Sequence, residues 1–147
     1  MEKKELASIL SEALVPIGFK KKGNYWVING DEITKMVNLQ KSQFGNYFYI
    51  NYGYILKSIP LDDMMHIYNR VTSLDVEERN RITFLLDLGS SISDEERTKA
   101  LKEVLQSKLV AKVQAVNTEE DLLAELKKRP HLNDITLAVK QHFNLVE

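Results

Sequence analysis

Two runs of strict alternation, Ile33 to Ser42 and Phe48 to Tyr54, stand on either side of Phe44-Gly45-Asn46. No other feature constrains the fold as tightly, because side chains along a strand alternate between its two faces. In the first run Ile33, Val37 and Leu39 fall on one side, with Met36, Asn38, Gln40 and Ser42 on the other. In the second, Phe48, Ile50, Tyr52 and Tyr54 alternate against Tyr49, Asn51 and Gly53. A turn this short joins antiparallel neighbours, so the runs predict a hairpin with one apolar and one polar face.

The flanking sequence extends the sheet. Tyr25 to Ile28 is aromatic and β-branched, and Asn29-Gly30-Asp31 is a tight-turn signal, which predicts a strand before the hairpin. Met65 to Leu74 predicts another after it, with Met65, Ile67 and Val71 opposed to His66, Tyr68 and Arg70; a helical turn over Asp62 to Ile67 is the alternative. Leu6, Ile9, Leu10, Ala13, Leu14 and Ile17 recur at three- and four-residue intervals and predict a leading helix to about Pro16, stopped by Gly18.

Beyond the sheet the pattern is helical: Asp75 to Leu88, a long helix after the capping box Ser93-Asp94-Glu95-Glu96, and a helix opened by Thr118 and ended at Arg129-Pro130. A last helix is predicted from about Asn133 to Phe143. The expected architecture is α+β: an N-terminal helix, a four-stranded antiparallel meander and C-terminal helices packed on the sheet. With 147 residues and no linker or repeat, a single domain over 1–147 is expected, its first part (1–74) helix plus sheet and its second (75–147) helical.

Composition narrows the class further. The 44% hydrophobic and 28% charged residues are those of an ordinary globular chain, and no apolar run is long enough for a membrane span. The start MEKKELASIL lacks the regions of a secretory signal, so a cytoplasmic protein is expected, which the absence of cysteine suits. Residues 1–58 carry eight Lys/Arg against five Asp/Glu, and residues 59–147 twelve against sixteen. That is too mild an asymmetry for binding by phosphate neutralisation.

Alternation gathers Asn38, Gln40, Ser42, Tyr49 and Asn51 on one face, to which the outer strands add Trp26, His66, Tyr68 and Arg70. Three readings of that face are open. It is the solvated side of an antiparallel sheet. It is a hydrogen-bonded network buried under the C-terminal helices. Or it is a recognition surface for a polar or anionic partner, with Arg70 holding a carboxylate or phosphate through its planar fork.

Three segments carry a family likeness: GFKKKGNYW at Gly18 to Trp26, VNLQKSQFGNYFYINYG at Val37 to Gly53, and HIYNRVTSL at His66 to Leu74. In their order the chain resembles the domain-of-unknown-function 4304 family over roughly its first half. The resemblance implies a small bacterial α+β protein with a leading helix and an antiparallel sheet, and no established activity. Its pattern points to Gln40, Ser42, Asn51, His66 and Arg70, and the chain departs from it at Tyr52 and Tyr54, where small or aliphatic residues are more usual.

No motif fixes a reaction. Ser42 and His66 lack the elbow and the orienting group that a nucleophile needs, the six glycines are dispersed at turns, and Asp62, Asp63 and His66 read as loop and cap chemistry rather than a metal set. No cofactor or metal is expected. The leading expectation is a non-enzymatic binding or regulatory domain using the face around Trp26, Gln40, Ser42, Asn51, His66 and Arg70. Its partner would be another protein or a small polar or anionic ligand, with an immunity-like role against a toxin as one concrete version. The alternatives are a hydrolase or transferase with His66 as general base and Arg70 as anion clamp, and a sheet that stacks single-stranded nucleic acid between Lys20, Lys21, Lys22, Lys35, Lys41 and its aromatics.

Overall fold

A computed structural model describes residues 1–61 and 63–145. The first helix, α1 (Lys3–Leu14), buries Leu6, Ile9, Leu10 and Leu14 along one stripe and tightens into a 3-10 turn at Val15–Ile17 around Pro16. Gly18 then turns the chain back with φ 106°, a left-handed conformation in which a side chain is strained.

The sheet has five strands: β1 (Lys20–Lys22), β2 (Tyr25–Asn29), β3 (Ile33–Lys41), β4 (Phe48–Leu56) and β5 (Ile67–Arg70), antiparallel in sequential order. The expected meander is therefore present with one strand more than predicted. The extra strand is Lys20–Lys22, which has no apolar alternation to reveal it; lysines suit an edge strand because they oppose pairing with another chain. At the other edge only Ile67–Arg70 of the predicted Met65 to Leu74 segment is strand, continued by one bond from the Val71 amide to the Ile50 carbonyl.

The helices are α2 (Val76–Leu86), α3 (Asp94–Leu105), α4 (Ala111–Gln114), α5 (Glu119–Lys127) and α6 (Leu137–His142), with a π-helical turn at Gln106–Val110 joining α3 to α4. Side-chain caps set most of their starts. Asp75 and Ser93 each accept one backbone N–H, from Glu78 and Glu96, and Thr118 with Asp121 forms a reciprocal box. The last helix begins four residues later than the pattern predicted, because Thr136 is its cap and Ile135 is bonded back to Leu132.

Buried side chains place the helices on one face of the sheet. Trp26, Val37, Leu39, Phe48, Ile50 and Tyr52 join α1, α2 and α3 in one apolar cluster, and Ile33, Tyr54, Leu56 and Ile67 join α5 and α6 in a second. Fully burying an aliphatic or aromatic side chain contributes about 1.5–3 kcal/mol, so these clusters dominate the stability. Two cations are buried with them. Lys35 is on the same face and donates to the Val113 carbonyl (2.5 Å) and to Asn117 Oδ1 (2.7 Å), closing the end of α4. Arg97, 1% exposed, donates from Nη1 and Nη2 to the carbonyls of Phe84, Leu85, Asp87 and Ser90, closing the end of α2. Among the described residues no helix is long and apolar enough to cross a membrane.

Candidate functional site

The opposite face of the sheet carries no helix. Register places Lys22, Tyr25, Asn38, Asn51 and Arg70, one residue from every strand, in a single row across it. Asn51 is the hub of that row: its Nδ2 donates to Gln40 Oε1 (2.8 Å) and Asn38 Oδ1 (3.2 Å), and its Oδ1 accepts from Arg70 Nε (3.0 Å). The Arg70 guanidinium lies 4.1 Å from the centroid of the Tyr49 ring, and Tyr47 meets that ring edge-on at 5.8 Å. Nη1 and Nη2 of Arg70 have no hydrogen-bond partner among the described residues, so the fork is held at its root and free at its tip. The strands carry no Asp or Glu, and of their six Lys/Arg register puts Lys20, Lys22 and Arg70 on this face and Lys21, Lys35 and Lys41 on the other. The face is shallow, with a depression of about 480 Å³ between Tyr25, Asn38, Asn51, Met64 and Tyr68.

Gln40, Asn51 and Arg70 thus converge as alternation predicts, while three other expected residues do not join them. Trp26 pairs across from Val37 and lies on the helix-covered face, fully buried, its Nε1–H donating to Ser11 Oγ at 3.0 Å; Tyr25 takes the open position instead. A one-residue difference in strand register exchanges the faces, and the turn at Asn29–Ile33 sets that register. Ser42 lies just past β3 as a turn staple, its Oγ accepting the Phe44 amide at 3.1 Å.

His66 precedes β5 and closes the loop after β4. Its Nδ1 accepts the Leu56 N–H (2.8 Å) and its Nε2 donates to the Pro60 carbonyl (2.8 Å), so both ring nitrogens are bonded to backbone and neither is free for proton transfer. The segment leading to it covers one end of the open face. A Cβ at Gly53 would lie 2.5 Å from Met65 Sδ and 1.9 Å from the Ile67 carbonyl oxygen, which is why this position of β4 is glycine. Asp62 lies outside the described residues. Among those described, no group of three or more His, Asp or Glu is placed to hold a metal ion.

One constellation was not anticipated: Ser58 Oγ lies 3.3 Å from His142 Nε2, and Glu119 contacts the same nitrogen. A relay needs the carboxylate on the far ring nitrogen, so this cluster orders the surface without activating the hydroxyl.

Sequence reasoning also missed a cavity of about 510 Å³ on the helix-covered side, where Tyr52, Tyr54 and Asn69 of the sheet face Leu122, Leu126 and Arg129. Arg129 is held in place by Asn69 Oδ1 (2.8 Å) and Asp134 Oδ2 (2.9 Å). Burial raises the pKa of both phenols, keeping them protonated hydrogen-bond donors through neutral pH. Two tyrosines in the apolar register of β4 were the available signal, since a phenol on a buried face needs a polar partner or a cavity.

A helix-backed antiparallel meander with one bare, basic, aromatic face defines the class of protein. The chain belongs to the family described as a domain of unknown function (DUF4304), whose sequence model matches residues 10–129 and so runs beyond the first half, through the whole sheet and α5. No curated protein and no solved structure matches the chain.

Proposed function

We propose that this chain is a non-enzymatic recognition module that binds an acidic patch of another protein with the open face of its sheet. The observation carrying this reading is Arg70, laid over Tyr49 and fixed by Asn51 with two terminal nitrogens left for a carboxylate. Arginine and tyrosine in a packed, oriented pair are the residues that most often dominate binding energy at protein interfaces. Phe44, 84% exposed at the tip of the β3–β4 turn, is a further apolar side chain open to a partner.

Charge supports the choice of partner. On the open face the strands present Lys20, Lys22 and Arg70 and no carboxylate, although the chain as a whole carries a formal −1, so this face favours an acidic partner. Stacking of nucleic-acid bases is less well supported, because one face of Tyr49 is occupied by Arg70 and its ring is abutted by Tyr47. Catalysis from this face lacks a base, since His66 is bonded away from Arg70.

A photo-crosslinking amino acid at Phe44 or Lys22 tests the reading in cells, with Lys99 on α3 as the control position. A discrete protein adduct from the first two and not the third is expected, crosslinked beside Asp and Glu, and lost when Arg70→Glu is added. An adduct indifferent to Arg70→Glu, or no adduct, would overturn the proposal. Arg70-dependent retention on single-stranded DNA at low salt would replace it with nucleic-acid binding.

A further inference from the structure

The cavity under α5 combines three features that a packing defect does not. Tyr52 and Tyr54 are only 9% and 4% exposed, yet neither phenol oxygen has a hydrogen-bond partner among the described residues. With no protein partner, each hydroxyl is left to find its hydrogen bond in whatever fills the space it faces. Among the described residues the sole side-chain nitrogen or oxygen sealed from solvent without a partner is Arg97 Nε, so both phenol oxygens open into the cavity instead of being shut in protein.

The charges at the rim are uneven. Arg129 is paired with Asp134 and Lys128 with Glu125, whereas Lys112 at the mouth makes no ion pair among the described residues. One uncompensated cation and two phenolic donors therefore meet a wall made of Ile67, Val116, Leu122 and Leu126. At about 510 Å³ the space lies within the usual range for small-molecule sites.

We infer that this cavity is a binding site for a small monocarboxylate with an apolar body. The carboxylate accepts hydrogen bonds from Tyr52 and Tyr54 and faces Lys112, and the hydrocarbon lies against the leucines of α5. Burial holds both phenols protonated, the state in which they donate. The site is on the helix-covered side of the sheet and is independent of the Arg70 face.

Octanoate is the probe, titrated calorimetrically into the whole protein, with octanol and octylamine as its neutral and cationic counterparts and amide NMR shifts as the map. Saturable one-site binding of octanoate is expected, with shifts at Tyr52, Tyr54 and Leu122 and with the alcohol and amine weaker by about tenfold or more. The double variant Tyr52→Phe/Tyr54→Phe keeps the packing and is expected to weaken octanoate by a similar factor; Lys112→Ala, at an exposed position, gives a reading that does not disturb the core. Absence of saturable binding, equal binding of octylamine, undiminished binding by these variants, or shifts confined to the Arg70 face would each overturn the inference.

Discussion

Arg97 and Arg70 are both guanidinium groups without a carboxylate partner, one beneath the helices and one on the bare face of the sheet. Arg97 spends both terminal nitrogens on four carbonyl oxygens and on Ser90 Oγ, and leaves only its Nε unpaired. Arg70 does the reverse: its Nε is bonded to Asn51 and its terminal nitrogens are free. Where neighbouring backbone saturates the fork, the cation belongs to the fold. Where the root is fixed and the fork is left open, the geometry is that of a recognition group waiting for an acceptor.

The largest effect is expected at Arg97. Arg97→Ala strands the last carbonyls of α2 and opens a cavity, so a loss of at least ~3 kcal/mol in the free energy of unfolding is expected from urea denaturation. Arg97→Lys should recover only part of it, because an ammonium cannot span acceptors from Phe84 to Ser90 as a planar fork does. A loss below ~1 kcal/mol for the alanine variant would remove the structural half of the contrast.

The sequence shows which of these groups pair only where the pattern is local. Alternation in β3 and β4 placed Gln40 and Asn51 correctly, because a short hairpin fixes register by itself. Trp26 went to the wrong face because its register depends on a turn whose geometry the residues Asn29 to Ile33 leave open. His66 lay outside the strand that its alternation suggested, and only the bonds to Leu56 and Pro60 reveal it as a loop clasp. Lys20–Lys22 gave no strand signal, since three lysines have no apolar period. The roles of Lys35, Arg97 and Arg129 depend on carbonyls and amides far along the chain, with Lys35 separated from Val113 by 78 positions, and no local pattern encodes such a meeting.

Lys35 provides an intermediate case. Burial lowers its folded pKa from 10.5, opposed by the nearby Asp121 carboxylate. Between the lowered value and 10.5 the unfolded chain binds more protons than the folded one, so this group makes stability rise with pH over that window. Lys35→Met lacks the effect. Urea midpoints of the two proteins, compared through the alkaline range up to about 10.5, should therefore move in favour of the wild type as pH rises. A shift in the other direction would mean that attraction to Asp121 outweighs burial, and that the lysine is held as an ion-pair partner.

The smallest stability effect is expected at Arg70, and the proposal depends on its being small. Arg70→Ala removes a stack on Tyr49 and one hydrogen bond to Asn51, both made by an exposed arginine to half-buried partners, while Asn51 keeps Asn38 and Gln40. An exposed cation–π contact contributes about 0.5–1 kcal/mol, which for a chain of this size corresponds to a shift in Tm of roughly 1–4 °C. Partner crosslinking through Phe44 should fall far more, because truncating a central arginine typically costs ~2 kcal/mol or more of binding. A variant that loses crosslinking while melting almost normally separates the two arginines by function. One that melts ~10 °C early would place Arg70 with Arg97, as a group the sheet needs in order to fold, and the bare face would then be a solvated surface and nothing more.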